Sequence, residues 1–83
     1  MKITLKLYAT LAEYLPAGAS NNAISLEMPA PASPHQALDS RGVPRARAHL
    51  LLVNGAYVPP DARDTGSLQE GDVVAAWPPV AGG

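Results

Sequence analysis

Asn54-Gly55 stands between two apolar runs, Leu50-Leu51-Leu52-Val53 and Ala56-Tyr57-Val58. A tight two-residue hairpin turn needs positive φ at both central positions, and Asn-Gly meets that need at the least cost. The pair predicts an antiparallel hairpin, ended by Pro59-Pro60. Two more segments alternate with the period of a half-buried strand. In residues 2–8, Ile3, Leu5 and Leu7 face one way and Thr4, Lys6 and Tyr8 the other; in residues 23–28, Ile24, Leu26 and Met28 share a face. A last strand is expected over residues 72–77, entered through the Glu70-Gly71 turn. Pro78 forbids its continuation and biases Trp77 to an extended backbone.

Between these strands, residues 9–15 suit a short helical turn stopped by Pro16, and residues 18–22 read as a loop. Ser33-Pro34-His35-Gln36 reads as a helix start. Ser33 can cap, Pro34 fits the first helical position, and Gln36 completes a capping box. Gly42 suits the left-handed position after the helix, with Pro44 beyond it. Residues 61–67 read as a polar loop, and Leu68 as a plug in the core. The order is strand, strand, helix, strand, strand, strand. One helix must bury its stripe on one face of a mixed sheet. The first and last strands then lie parallel at its centre. This is an α+β architecture, the β-grasp or ubiquitin-like arrangement, with four to five strands on one helix. The expected division is a domain over residues 1–77 and an extended tail over 78–83.

Composition narrows the function. Eighty-three residues make one domain with a small core. With no Phe and one Trp, that core must be filled by Leu, Val, Ile and Ala. The net charge is −1, and no run of Lys or Arg offers a phosphate-tracking surface, so no nucleic-acid partner is expected. No apolar stretch is long enough to span a bilayer and no signal-peptide pattern opens the chain, so the expected location is cytoplasmic, with no membrane partner. Cysteine is absent, which removes disulfides, thiolate metal ligands and thiol nucleophiles. His35 and His49 have no companion ligand at metal spacing; no metal site is expected, and both read as ordinary surface or helix-start residues. Asp61, Asp64, Glu70 and Asp72 read as solubility and turn residues, and Arg41, Arg45 and Arg47 as a solvated face near a helix end.

The chain closes on Trp77-Pro78-Pro79-Val80-Ala81-Gly82-Gly83. Two terminal glycines arise by chance roughly 0.5% of the time at ordinary glycine usage. Without Cβ atoms such an end has the smallest cross-section a peptide can have. It can thread a narrow channel and present the Gly83 carboxylate to another protein's active site. Pro78 and Pro79 suit a stiff extended spacer that projects the glycines; Val80 and Ala81 would line the receiving channel. Trp77, where domain becomes tail, is a docking candidate, since Trp is enriched at interface centres. Leu50 and Leu52 alternate onto the face opposite Leu51 and Val53. One helix cannot cover both faces, so Leu50 and Leu52 join the partner-facing set.

Four segments carry a resemblance: Lys6-Leu7-Tyr8-Ala9-Thr10-Leu11-Ala12-Glu13, Leu52-Val53-Asn54-Gly55, residues 68–75, and the Pro-Pro-Val-Ala-Gly-Gly ending. The chain resembles the ubiquitin-like sulfur-carrier proteins of molybdopterin and thiamine biosynthesis, above all the small subunits of molybdopterin synthases. The resemblance implies that a ubiquitin-activating-like enzyme uses ATP to adenylate Gly83, and that a sulfur donor converts the adenylate to a thiocarboxylate. It implies a large synthase subunit as acceptor, with Gly82 giving access, and a carrier that binds no cofactor and is not itself an enzyme. The alternatives are a carrier for thiamine thiazole or another metabolite, a ubiquitin-like modifier of protein lysines, and a plain binding module.

Overall fold

The computed structural model describes residues 1–79. Its strands are β1 (Lys2–Leu7), β2 (Ala23–Glu27), β3 (Leu50–Val53), β4 (Ala56–Tyr57) and β5 (Val73–Trp77), and its α-helix is α1 (Pro34–Asp39). Short 3-10 turns occupy Ala9–Tyr14, Arg45–Arg47 and Pro60–Ala62. The five strands form one sheet in the order β2-β1-β5-β3-β4. β1 and β5 run parallel at its centre, with Thr4 opposite Val73 and Leu7 opposite Ala76. The other pairs are antiparallel. This is the expected β-grasp.

Each local signal has its structural counterpart. Asn54 (φ 51°) and Gly55 (φ 84°) both adopt the left-handed conformation that the β3–β4 turn requires. Ser33 caps α1 in a reciprocal box: its hydroxyl accepts from Gln36 N–H at 3.2 Å, and Gln36 Oε1 accepts from Ser33 N–H at 2.7 Å. Gly42 (φ 73°) ends the helical segment. Val43 N–H reaches back to Leu38 O and Gly42 N–H to Asp39 O, the paired bonds of a Schellman stop.

The core is aliphatic. Ile3, Leu5 and Leu7 of β1, Leu51 of β3 and Val74 and Ala76 of β5 meet Ala37 and Leu38 of α1, with Leu11 and Leu68 sealing the ends. The alternation assigned to β1 is therefore the observed one, and Leu68 plugs the core as its position suggested. Among the described residues no helix is long and apolar enough to cross a membrane.

Two expectations need correction. His35 stands at the start of α1, as read, but is buried there rather than at the surface: its Nδ1 lies 3.0 Å from Asp64 Oδ1 and its main-chain N–H donates to Arg63 O. The cause is the 60–68 segment, which folds back over the start of α1 and is fastened there by Leu68 N–H to Ala32 O. That segment is polar in sequence but is anchored by Arg63, only 2% exposed. Its guanidinium donates to the carbonyls of Val58 (2.8 Å), Ala48 (2.8 Å) and His49 (3.3 Å), so a buried cation pins the start of β3 to the end of the hairpin.

The arginines beyond α1 are also engaged rather than merely solvated. Arg45 holds Asp39 through Nη2 at 2.7 Å and Nε at 3.2 Å, and reaches Asp64 at 3.3 Å. Arg47 donates to Glu13 Oε1, Tyr14 Oη and Thr10 Oγ1, and its guanidinium carbon lies 5.4 Å from the Tyr14 ring centroid.

Two tests follow from this packing. Ser33→Ala should lower unfolding stability in urea by about 1 kcal/mol, the usual cost of a lost N-cap, while Ser33→Thr recovers most of it. The second is a pH dependence. The hydrogen bond from Arg45 lowers the Asp39 carboxyl below its ordinary 3.8. A depressed folded-state pKa stabilises above the unfolded-state value and loses that contribution as pH falls through the lowered one. The stability difference between the parent chain and Asp39→Asn should therefore be constant near neutrality and shrink below pH 3.8; urea unfolding curves across the acid range would measure it.

Candidate functional site: the junction of sheet and tail

β5 is the central strand, and the chain leaves the domain at its C-terminal end. Val74, Ala75 and Ala76 are buried, and small alanines let β1 and β3 flank them closely. Because β1 runs parallel to β5, the end of β1 arrives beside the end of β5. Tyr8 N–H donates to Ala76 O at 3.1 Å. Because β3 runs antiparallel, its beginning arrives there too, with Leu50 opposite Trp77.

Three chain segments thus converge on the exit point. The Tyr8 and Trp77 rings stack with centroids 4.5 Å apart and planes 6° from parallel. Stacked aromatic pairs contribute beyond the area they bury. Ala9, with φ 53°, turns the chain sharply out of β1, a conformation that costs a non-glycine residue roughly 1–2 kcal/mol. The turn brings Thr10 alongside. Ala9, Thr10, His49, Leu50, Trp77, Pro78 and Pro79 line an open groove of about 680 Å³, largely apolar, with Thr10 and His49 as its polar residues.

The sheet face without the helix carries the same chemistry further. Register places Trp77, Leu50, Leu52, Ala75 and Val73 on it, all opposite in sense to the core residues Leu51 and Val74. Leu50 and Leu52 are half-buried, and Tyr57, opposite Leu52, is 56% exposed. Arg47, bonded to Thr10 beside this groove, is held firmly protonated by its hydrogen bonds to Glu13 and Tyr14. Among the described residues no group of His, Asp or Glu side chains is placed to hold a metal ion. The arrangement is an open, largely apolar groove beside the end of β5.

The geometry agrees with relatives found by comparison. The Mut7-C ubiquitin family model matches residues 1–82. The chain belongs to the Mut7-C ubiquitin family. Its structure is similar to that of SAMP1 from Haloferax volcanii, at 25% identity over 100% of both chains and a TM-score of 0.67. It is also similar to the HVO 2177 protein of Haloferax volcanii, at 26% identity over 100% of this chain and 87% of that one, with a TM-score of 0.75. A protein described as molybdopterin converting factor, subunit 1, from Pyrococcus furiosus shares 24% identity over 95% of this chain and 98% of its own, with a TM-score of 0.65. No curated protein matches the chain. This Mut7-C ubiquitin chain thus has the ubiquitin-like fold of the small sulfur carriers.

Of the residues singled out in the sequence, the fold gathers Trp77, Pro78, Pro79 and Leu50 around one groove. Leu52 lies one turn of the pleat further along the same face, opposite Ala75. Val80, Ala81, Gly82 and Gly83 lie outside the described residues. Sequence reasoning missed Ala9, Thr10 and His49 as groove residues, and Tyr8 as the ring stacked on Trp77. For Tyr8 a signal existed: it alternates onto the non-core face. For His49 none did, because its position depends on the β3–β5 register.

Trp77 is the chain's one tryptophan, which makes the junction spectroscopically readable. Tyr8→Ala should red-shift Trp77 emission and cost about 1 kcal/mol of stability. Tyr8→Phe, which keeps the stacked ring, should leave both nearly unchanged; equal effects from the two variants would refute the stack.

Proposed function

We propose that this chain is a sulfur carrier. Its Gly83 carboxylate attacks the α-phosphorus of ATP on a ubiquitin-activating-like enzyme, releasing pyrophosphate and leaving an acyl adenylate. A carboxylate is a poor electrophile until one oxygen becomes part of a phosphate leaving group. A sulfur nucleophile then adds to the activated carbonyl, AMP departs, and Gly83 ends as a thiocarboxylate. The sulfur is handed on inside an acceptor enzyme that receives residues 80–83, with Gly82 allowing passage. The carrier itself supplies no catalytic side chain and needs no cysteine.

One observation carries this reading. The central strand β5 runs directly through Trp77 into Pro78-Pro79 beside an apolar groove, so docking on the domain and delivery of the tail are mechanically joined. Trp77, Leu50 and Leu52 would dock, Pro78 and Pro79 would hold the exit direction, and Val80 and Ala81 would occupy the channel. Rigid spacers reduce the ordering cost of binding. The acceptor we favour is a molybdopterin synthase large subunit, from the Trp-Pro-Pro-Val-Ala-Gly-Gly ending. A second reading, favoured by the ubiquitin family match over residues 1–82, directs the same activated Gly83 to a lysine amine as an isopeptide.

The test is the intact mass of untagged protein after incubation with an activating enzyme, ATP and a sulfur donor. The expected gain is the difference between a sulfur and an oxygen atom, localised to Gly83. Gly82→Leu, or one residue added after Gly83, should abolish transfer while leaving the urea midpoint unchanged. An extended variant that still acquires sulfur would sink the mechanism, and Gly83-dependent high-mass conjugates without any sulfur gain would select the modifier reading.

A further inference from the structure

Where the 60–68 segment closes over the start of α1, the surface holds a second cavity, which the carrier role does not use. Its volume is about 350 Å³. His35, Arg45, His49 and Arg63 line it, with Ala46 and Pro60 among its apolar walls, and no carboxylate belongs to the lining. Every ionisable group facing the cavity is therefore a cation or a base.

Arg63 has a buried charge with nothing to offset it. It is 2% exposed, and its acceptors, the carbonyls of Val58, Ala48 and His49, are all neutral. Among the described residues no carboxylate lies within ion-pair distance of it. Buried charges are ordinarily matched by an opposite charge. A guanidinium has five N–H groups. Three of those of Arg63 are engaged, and two have no acceptor.

His35 adds a second unfilled position. Asp64 holds its ring through Nδ1, and Nε2 has no partner among the described residues. Nε2 is not sealed inside the protein, because among the described residues no buried side-chain nitrogen or oxygen lacks a partner. Arg45 is half exposed and grips Asp39 and Asp64 through three of its N–H groups, which leaves two. The carboxylates of this region are thus taken up by Arg45 and His35, and Arg63 is left to the cavity. His49 is exposed and lines both this cavity and the exit groove.

We propose that the cavity binds a phosphate group, free or as a phosphomonoester. Its negative charge offsets Arg63, and its oxygens accept from the spare N–H groups of Arg63 and Arg45, a pairing that is among the strongest hydrogen bonds proteins make. His35 suits phosphate in particular. With Nδ1–H donating to Asp64, a neutral ring has Nε2 as an acceptor. A singly ionised phosphate has a hydroxyl to give it, which chloride lacks. With a dianion the proton resides on Nε2 and the bond runs the other way. The volume exceeds that of a phosphate alone, which leaves room for an ester substituent. This is a single pocket and not a track, in keeping with a chain that has no run of Lys or Arg. The proposal is independent of what Gly83 carries.

The test is an NMR titration of the full chain with sodium phosphate and, separately, with glycerol phosphate, each against sodium chloride at matched ionic strength. Saturable binding with a Kd of about 1 mM or tighter is expected. The amides of residues 45–49 and 63–64 and the His35 ring resonances should move, while the Trp77 indole resonance stays still. Tighter binding of glycerol phosphate assigns the site to an ester, and tighter binding of phosphate to the free ion. His35→Asn keeps an amide N–H for Asp64 but removes Nε2, and Arg45→Gln removes the exposed cation. Each should weaken binding about tenfold with little change in the urea midpoint. Arg63→Gln should abolish binding; where it fails to fold, the other two variants decide. Shifts that chloride reproduces, or that never saturate, overturn the proposal. So does full-strength binding by both His35→Asn and Arg45→Gln, or a response centred on Trp77.

Discussion

The parallel pairing of β1 with β5 is the constraint on which the molecule depends. It joins residues 4–7 to residues 73–76, near opposite ends of the chain. No local signal can form it, since closing so long a loop has an entropic cost that only the finished core offsets. Once formed, it sets both faces of the sheet. Ile3, Leu5, Leu7, Val74 and Ala76 turn to α1, and Tyr8 and Trp77 turn away. It also fixes where the chain exits, because parallel strands finish at the same end.

That exit is where the proposed function would act. β5 is paired on both sides almost to its end, so the main chain is held firmly up to Trp77, and Pro78 and Pro79 follow it directly. The Tyr8–Trp77 stack closes the seam at the point where pulling on the tail would act. The groove beside it is built from the ends of three segments, so its shape is a property of the sheet register rather than of any one segment. The two edges of the sheet contrast with this centre. The β4 edge is only two residues long, whereas β2 presents five.

Much of the fold was legible because its signals are local. Asn54-Gly55 needs only its own backbone to prefer a tight turn, and Ser33 with Gln36 needs only one helical turn to form its box. Alternation in β1 showed the core face correctly because a half-buried strand has a period of two wherever it lies. The misreadings share one cause. His35 and Arg63 are polar and stand beside Pro and Asp residues, so they look like surface. Each is buried because a distant segment closes over it and supplies acceptors: Asp64 for His35, and the carbonyls of Ala48, His49 and Val58 for Arg63. Burial of a charged side chain is decided by such partners, which have no signature at the residue itself.

The sequence by itself determined the five strands and the helix, the inward face of the strands over 2–8 and 23–28, and the chemistry of the ending: two glycines behind two prolines, with no thiol anywhere in the chain. These follow from backbone preference, hydrophobic period and functional groups, all properties of neighbouring residues. The tertiary structure alone decided that Tyr8 would stack on Trp77 with Thr10, His49 and Leu50 beside it, and that Arg41 would border the groove along β2. Those juxtapositions depend on strand order and register, which are chosen by the simultaneous burial of the whole core, and a residue cannot announce a neighbour that only the closed sheet provides.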